Sequence, residues 1–300
     1  MTSIQEILAT AKQKGKQRVV IVSAEDDDVL GAISKASQEG IARGILIGKE
    51  DKIIQLAQKH SISLEDMEII DVANEEKAVI LAVHLLQENK ADLIMKGAIS
   101  TGKLLKILLS REMNLRTDRL VSHIGVFEVS GWNKLMYISD AAINIRPSIY
   151  EKIAICRNAV EVARKLGNPH PKVAFITPFT KVYLDKIPST VDAALISKMN
   201  DCGQITDADI EGPIALDLAV SKEAAEIKLY KSNVAGDCDI FITHDIEAGN
   251  VFYKALVYLA KAKMAGIVAG ARVPIIMTSR ADSEDIKLAS IALGCVLIEK

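Results

Sequence analysis

The chain has 300 residues, 49% of them hydrophobic, 4% aromatic and 25% charged, and its formal net charge is −2. A single hydrophobic core rarely grows beyond about 250–300 residues, so this length favours two domains. A net charge this close to zero produces no field that would attract the backbone of a nucleic acid. No apolar run reaches the ~18 residues that a membrane-spanning helix needs.

The first part of the chain predicts a helix followed by repeating strand–helix units. Met1 to Lys16 has the pattern of an amphipathic helix and not of a signal peptide, and four cysteines without metal-site spacing indicate a cytoplasmic protein. The predicted strands are Arg18–Val22, Gly44–Ile47, Glu68–Val72 and Asp92–Met95, and the predicted helices are Asp28–Glu39, Asp51–His60, Glu76–Gln87 and Gly102–Leu109. This alternation is typical of an α/β fold with a mainly parallel, doubly wound sheet.

The alternation stops at two runs, Val121–Val129 and Lys134–Ser139, which predict an antiparallel hairpin at the edge of the first sheet. A helix from Pro147 to Leu166 follows, so we expect the boundary between two domains near residues 145–150. The predicted strands of the second α/β series are Lys172–Ile176, Cys238–Ile242, Gly266–Ala269 and Val273–Met277. A last predicted strand, Cys295–Glu299, fits either domain.

A candidate anion-binding loop lies between the fourth strand and its helix. Lys96-Gly97-Ala98-Ile99-Ser100-Thr101-Gly102-Lys103 matches most of a phosphate-binding P-loop, but Leu104 stands where that motif needs a hydroxyl for Mg²⁺. This departure argues against a nucleotide hydrolase. The backbone N–H groups at a helix start still favour an anion, and the alternative is an ordinary strand-to-helix turn.

A second candidate site follows the apolar run that begins at Pro274. Ser279 and Arg280 end this run, and Asp285 lies in the helix that follows. Ligands of doubly wound sheets bind beyond the carboxyl ends of the strands, where these residues are expected. The spacing of Ser279, Asp282 and Asp285 fits helix capping equally well.

Other polar segments have weaker patterns. His244 with Asp245 and Glu247 suggests a metal site only weakly, because exposed loop polarity explains the three residues about as well. His123 at the start of a strand is more typical of a structural histidine. The run 26–28 of three aspartates resembles a metal cluster, but we interpret it as the cap and first turn of the helix that follows.

Six segments in this order resemble the phosphate acetyl/butyryl transferase family over nearly the whole chain. They are Lys96–Gly102, Ser122–Phe127, Ser139–Asn144, Asp209–Pro213 with Leu216-Asp217, Asp245–Asn250, and Ser279-Arg280 with Asp285. The resemblance implies two α/β domains like those of isocitrate and isopropylmalate dehydrogenases, 1–147 with 273–300 and 148–272, with the active site in the cleft between them. It also implies at least a homodimer.

The resemblance further implies transfer of an acyl group between coenzyme A and inorganic phosphate. The short length and the segment Ser122–Gly125 resemble the butyryl-transferring branch, with acetyl transfer as the alternative. The implied catalytic residues are Ser279, Arg280 and Asp285. Ala281 and the interval from Arg280 to Asp285 depart from the acetyl-specific pattern, which weakens the assignment of Asp285. The candidate substrate-binding residues are Lys96, Gly97, Ser100, Thr101, Ser122, His123, Gly249 and Asn250.

The chemistry of such a transfer gives these residues their expected tasks. Arg280 offers a planar, bidentate pair of donors to phosphate, which lysine cannot present. Ser279 and loop N–H groups are candidates to stabilise the oxyanion, and Asp285 to handle the thiol proton. No metal or redox cofactor is expected. A dehydrogenase of the related fold and a non-catalytic acyl-CoA-binding protein are the other hypotheses, although no G-x-G-x-x-G fingerprint is present.

Overall fold

The structure, a computed structural model, describes residues 1–298 and consists of alternating helices and strands. The helices are α1 Ile4–Lys14, α2 Asp27–Gln38, α3 Glu50–Lys59, α4 Glu75–Gln87, α5 Thr101–Leu108, α6 Ile149–Lys165, α7 Pro188–Asp201, α8 Leu216–Val220, α9 Lys222–Ile227, α10 Ile246–Lys254 and α11 Glu284–Leu297. The strands are β1 Gln17–Val22, β2 Ala42–Gly48, β3 Glu68–Asp71, β4 Leu93–Lys96, β5 Ser122–Glu128, β6 Met136–Ser139, β7 Lys172–Ile176, β8 Asp209–Ile214, β9 Ile240–Ile242, β10 Lys263–Ala269 and β11 Ile275–Ile276.

The chain divides into two compact units. The first unit is Ile4–Arg119 with the chain from Met264 onward, and the second unit is Met1–Ser3 with Leu120–Lys263. The domain boundaries expected from the sequence, at residues 147 and 273, stay a prediction.

The first unit has the predicted parallel strand–helix repeat. Its strands lie in the order β3-β2-β1-β4-β11-β10, and every neighbouring pair is parallel except β10 with β11. β1 and β4 are almost entirely buried and mostly apolar, as expected for strands covered by helices on both faces. Helix α2 begins at the cap Asp26, whose side chain accepts from the N–H of Val29, and ends before Gly40 with its φ of +78°. The predicted cap is therefore confirmed, and Gly40 supplies the left-handed residue with which helices commonly end.

The second unit places its strands in the order β5-β6-β9-β7-β8. The antiparallel hairpin of β5 and β6 is confirmed, but its predicted position at the edge of the first sheet is wrong. β6 pairs on its other side with β9 in parallel, so the hairpin belongs to the sheet of the second unit. Helix α6 begins with a complete capping box formed by Ser148 and Glu151.

The sequence predicted a strand over Cys295–Glu299. This prediction is wrong for Cys295 to Leu297, which lie in α11, and Glu299 lies outside the described residues. From Lys287 to Leu297 every residue of this helix is buried. A helix that is buried on all sides has a continuous apolar run, which periodicity alone does not distinguish from a buried strand. Helix α11 contacts α1 and α2 in the first unit, so it forms part of the core.

The strand β8 was not predicted from the sequence. Gly212 and Pro213 lie within it, and both residue types weaken a strand prediction. β8 is the last strand in the order of the second unit, where only one side pairs with a neighbour. Proline is tolerated there because its missing N–H faces away from the ladder.

No helix within the described part of the chain is long and apolar enough to span a membrane.

Gly97 is required by the close approach of β4 to the end of β1. A Cβ at this position would collide with the carbonyl oxygens of Val22 and Ser23, whereas a Cβ on Gly102 would meet open space. We expect Gly97→Ala to lower the free energy of unfolding by about 2 kcal/mol or more, because backbone atoms must move. The control Gly102→Ala is expected to leave it unchanged or slightly higher, because alanine favours a helix. Urea denaturation of both variants tests this, and equal effects would contradict the expectation.

Candidate functional site

In the first unit, the loop between β4 and α5 contains a buried ammonium group. The side chain of Lys96 is enclosed, with 5% of the residue exposed, and its Nζ donates to the carbonyl oxygens of Gly97 at 3.1 Å and Ile99 at 3.4 Å. Burial lowers the pKa of Lys96, and the nearby positive charge of Arg280 lowers it further. Lys96 therefore supports its own loop and adds positive charge beneath it.

The same loop ends in the N-terminus of α5. Ser100 is the cap, and its hydroxyl accepts from the N–H of Lys103 at 3.4 Å. Thr101 is the first residue of the helix and is partly exposed. The start of α5 presents backbone N–H groups and the positive end of the helix dipole, which together favour an anion.

Ser279 and Arg280 lie beside this loop because β11 and β4 are parallel neighbours. The guanidinium of Arg280 donates to the carbonyl oxygen of Ala98 at 2.7 Å, although the two residues are 182 positions apart. Both Ser279 and Arg280 are exposed. Among residues 1–298 the guanidinium makes no ion pair with a carboxylate, so the structure joins the two predicted motifs around a cation that is available to an anion.

Two buried polar residues hold the turn after β11: Asp282, which the sequence indicated only as a capping residue, and Lys287, which it did not single out. The carboxylate of Asp282 accepts from the N–H of Ser279 at 2.7 Å. Lys287, with 1% of the residue exposed, donates to the carbonyl oxygen of Asp282 at 2.7 Å and approaches the carboxylates of Asp28 at 3.3 Å and Asp26 at 3.7 Å. The ammonium therefore fixes the turn that carries Ser279 against the start of α2.

Asp285 lies in the first turn of α11, which Ser283 caps by accepting from the N–H of Ile286. Its side chain is 84% exposed and forms an ion pair with Lys35 at 3.1 Å. The hydrogen bond from Lys35 to the carboxylate of Asp285 raises the pKa of Lys35. Asp285 is thus a solvated carboxylate at the edge of the loop region, and not part of the buried network around Lys287.

In the second unit, the predicted binding residues surround a buried carboxylate. Ser122 and His123 begin β5 and are buried; the hydroxyl of Ser122 accepts from the side-chain amide of Asn158 at 2.8 Å. The ring of His123 packs at a tilt against Tyr253, with 5.8 Å between the ring centroids. These contacts place both residues inside the unit.

Asp140 organises the loop that follows β6. Its carboxylate accepts from the backbone N–H groups of His123, Ala142, Ile143 and Asn144 and from the side-chain amide of Asn144, at 2.6–3.3 Å. Gly249 packs directly under this loop, because a Cβ there would collide with the carbonyl oxygen of Asp140. Asn250 donates from its side chain to the carbonyl oxygen of Ala141 at 3.1 Å.

His244 does not form a metal site with its neighbours. The carboxylate of Asp245 caps α10 by accepting from the N–H of Ala248 at 2.9 Å, and within residues 1–298 the ligand atoms of His244, Asp245 and Glu247 do not converge as those of a metal site do. His244 instead contacts the buried ammonium of Lys152 through Nδ1 at 2.9 Å.

The sequence model of the phosphate acetyl/butaryl transferase family matches residues 3–79 and 73–295, which is nearly the whole chain. The chain belongs to this family. It is an acyltransferase, because the family and its similar members have that activity.

Similar proteins agree in sequence and fold. The transferase is 42% identical to the phosphate butyryltransferase of Clostridium acetobutylicum over 98% of both chains. It is 40% identical to the phosphate acetyltransferase of Thermotoga maritima, over 98% of this chain and 99% of that protein. The crystal structure of a branched-chain phosphotransacylase from Enterococcus faecalis V583 superposes with a TM-score of 0.82 and 30% identity, over 94% of this chain and 100% of that one.

A more distant structure shows the fold alone. The 4-hydroxythreonine-4-phosphate dehydrogenase from Klebsiella pneumoniae superposes with a TM-score of 0.56 and 11% identity, over 93% of this chain and 98% of that one. The predicted dehydrogenase-like α/β fold of the transferase is thereby confirmed.

The carboxylate of Asp140 is expected to be essential for the stability of the transferase. Asp140→Asn replaces one of the accepting oxygens by a donor and leaves buried N–H groups unpaired, so we expect a loss of about 3 kcal/mol in the free energy of unfolding. Asp245→Asn is the matched control, because asparagine caps a helix as well as aspartate does. Thermal and urea denaturation measure both variants. A stable Asp140→Asn protein would show that water or relaxation satisfies the loop.

Proposed function

We propose that this transferase moves a butyryl group between coenzyme A and inorganic phosphate by direct transfer in a ternary complex. Family membership and the identity to a phosphate butyryltransferase support the reaction type. The alternative acyl group is acetyl, which the name of the Thermotoga relative gives. The choice of butyryl rests on the resemblance to the butyryl-transferring branch.

The observation that carries the proposal is the bond between Arg280 and the loop of Ala98. It gathers an exposed guanidinium, a buried ammonium at Lys96 and the N-terminus of α5 at one edge of the sheet. Phosphate needs several donors and positive charge, and a guanidinium binds it through two parallel hydrogen bonds. We therefore assign the phosphate to Arg280 and the start of α5.

The chemistry then follows in one addition and one elimination. An oxygen of hydrogen phosphate attacks the thioester carbonyl, so a C–O bond forms and the carbonyl oxygen becomes an oxyanion. The hydroxyl of Ser279, exposed beside Arg280, is the candidate donor to this oxyanion, a contribution that costs about 3–4 kcal/mol when removed. The C–S bond then breaks, and the proton released by phosphate ends on the sulfur of coenzyme A.

We assign the transfer of this proton to Asp285. The assignment follows the resemblance to the family, and the structure leaves this carboxylate exposed, in an ion pair with Lys35 at 3.1 Å. In the reverse direction it would take the proton from the thiol, leaving the thiolate to attack the acyl phosphate. Bringing the two substrates together supplies the rate gain, and no acyl-enzyme is needed.

The residues of the second unit receive a different task. Gly249 and Asn250 contact the backbone at Asp140 and Ala141, and Ser122 is bonded to Asn158. We infer that they act on substrate by shaping the loop of Asp140, since their own polar groups are engaged in the protein.

The acyl preference is tested by thiol release with phosphate and acetyl-, propionyl-, butyryl- or valeryl-CoA. We expect the largest kcat/KM with butyryl-CoA. A maximum at acetyl-CoA with little activity on four carbons would refute the butyryl assignment and leave the reaction type intact. Binding of coenzyme A without thiol release from any of the four would instead indicate a non-catalytic acyl-CoA-binding protein.

The role of Asp285 is tested by comparing Asp285→Asn with Lys35→Met. Both variants remove the same ion pair, so a purely structural pair predicts the same small change in each, at most about 1 kcal/mol in stability. Removal of a proton-transfer group predicts instead that only Asp285→Asn loses about 10²–10⁴-fold in kcat, at an unchanged Tm. The loss should be largest in the direction in which the thiol attacks. Equal turnover in the two variants would leave Asp285 with a structural role only, in its ion pair with Lys35 and in the first turn of α11.

A further inference from the structure

Of the three buried lysines among residues 1–298, one has no carboxylate partner. Lys152 and Lys287 each form an ion pair, at 2.7 and 3.3 Å. Lys96 is also enclosed, with 5% of the residue exposed, but within the same residues its Nζ donates only to the carbonyl oxygens of Gly97 and Ile99. A buried charge is costly unless a charge of opposite sign compensates it. The ammonium of Lys96 therefore lacks the compensation that the other two have.

The carboxylates that act on Lys96, those of Asp26 and Asp282, are engaged by other groups. Asp26 caps α2 and approaches Lys287 at 3.7 Å, and Asp282 accepts from a backbone N–H at 2.7 Å. Burial lowers the pKa of Lys96 and the charge of Arg280 lowers it further, and the two carboxylates offset this only in part. An additional negative charge near the loop would stabilise the charged form of Lys96.

The loop beside Lys96 has free backbone donors, whereas its carbonyl oxygens are engaged. Within the described chain, the N–H groups of residues 99–102 donate to no protein acceptor. The carbonyl oxygens of residues 97–99 are all bonded by cationic side chains, the first and third by Lys96 and the second by Arg280. The loop and the first turn of α5 therefore offer four donors to an anion, and the neighbouring carbonyl oxygens are held by cations.

One peptide group connects the ammonium of Lys96 to these donors. The carbonyl oxygen of Ile99 accepts from Nζ at 3.4 Å, and the N–H of the same peptide group belongs to Ser100. This peptide bond is trans, so its C=O and N–H point in opposite directions, and the bond to Lys96 turns the N–H away from the ammonium. A hydrogen bond at the carbonyl end also polarises the peptide group and strengthens its N–H as a donor. Lys96 therefore orients a donor of the loop and brings positive charge close to it.

We propose that Lys96 is the positioning residue and buried counter-charge of the phosphate site: the anion held by the N–H groups of residues 99–102 supplies the negative charge that its ammonium lacks. This role rests on the proposed function, which assigns phosphate to Arg280 and the start of α5. Lys96 then provides, together with Arg280, the positive charge of the site, and an uncharged side chain in its place weakens the anion. Inorganic sulfate resembles the phosphate dianion in shape and charge, so it reports anion binding separately from the transfer reaction.

The first test measures the Kd of the full-length protein for inorganic phosphate and for inorganic sulfate by titration calorimetry. We expect Lys96→Met to weaken both anions by about tenfold or more, because a buried unit charge close to the anion is lost. Lys103→Met is the matched control. Lys103 lies in the first turn of the same helix, but it is exposed and paired with Glu75 at 2.6 Å. Its replacement should change either Kd by about twofold at most, because exposed charges are screened.

A second variant, Lys96→Gln, separates the charge of Lys96 from its bond to the loop. The amide of glutamine donates to a carbonyl oxygen as an ammonium does, but it carries no charge. We expect Lys96→Gln to weaken phosphate and sulfate by about as much as Lys96→Met. Binding of both anions at wild-type strength would limit Lys96 to the support of its own loop and overturn the counter-charge.

A third test uses pH and does not require Lys96→Met to fold. Sulfate stays doubly charged at neutral and alkaline pH, so a change in its Kd comes from the protein. The charged groups that act on Lys96 are Arg280, Asp26, Lys287 and Asp282. Because the pKa of Lys96 is lowered, it loses its proton below the ordinary lysine value of about 10.4. We expect the Kd of the wild type for sulfate to rise as the pH increases from neutral toward that value, and the Kd of Lys96→Gln to change much less.

The outcomes separate this role of Lys96 from the proposed function. Parallel pH profiles of the wild type and Lys96→Gln, equal losses in Lys96→Met and Lys103→Met, or no binding of either anion by the wild type would overturn the counter-charge, while thiol release by the wild type still supports the transferase reaction. Binding of sulfate that depends on Lys96 in a wild type that releases no thiol would leave the counter-charge assigned and the reaction refuted.

Discussion

The parallel pairing of β11 with β4 is the constraint on which the site of the first unit depends. Ile275 and Ile276 lie beside Ile94 and Met95, although almost the entire second unit separates them along the chain. Parallel neighbours end at the same edge of a sheet, so the residues after each strand must meet. The bond from Arg280 to Ala98 follows from this register.

Buried charges keep these edges in place, and several are compensated locally. Lys287 is satisfied by one carbonyl oxygen and two carboxylates, and Asp140 by several N–H donors of a single loop. Lys152 has one carboxylate and one imidazole. Removing one partner would leave an uncompensated buried charge, which costs several kcal/mol. Such clusters therefore fix loops that would otherwise be mobile at the ends of the strands, where ligands bind.

The errors of the sequence-based predictions have identifiable physical causes. The apolar run ending at Leu297 was interpreted as a strand because a fully buried helix loses the contrast between an apolar and a polar face. The strand β8 was missed because it contains Pro213. A strand tolerates proline only at an edge position, and the order of the strands decides that position. His244 was considered with its sequence neighbours, whereas its side-chain partner is Lys152 of α6, which is itself paired with Asp192 of α7.

The sequence by itself determined the α/β alternation, the cap of α2, the glycine that follows β4 and the family. These are local properties: strand periodicity, a capping side chain or a glycine next to a strand depends on a few consecutive residues. Only the tertiary structure decided that Arg280 bonds to Ala98, that Lys287 fixes the turn of Ser279, and that Lys152 orients His244. Those contacts depend on which strands become neighbours, and that choice follows from burying the whole set of apolar faces at once.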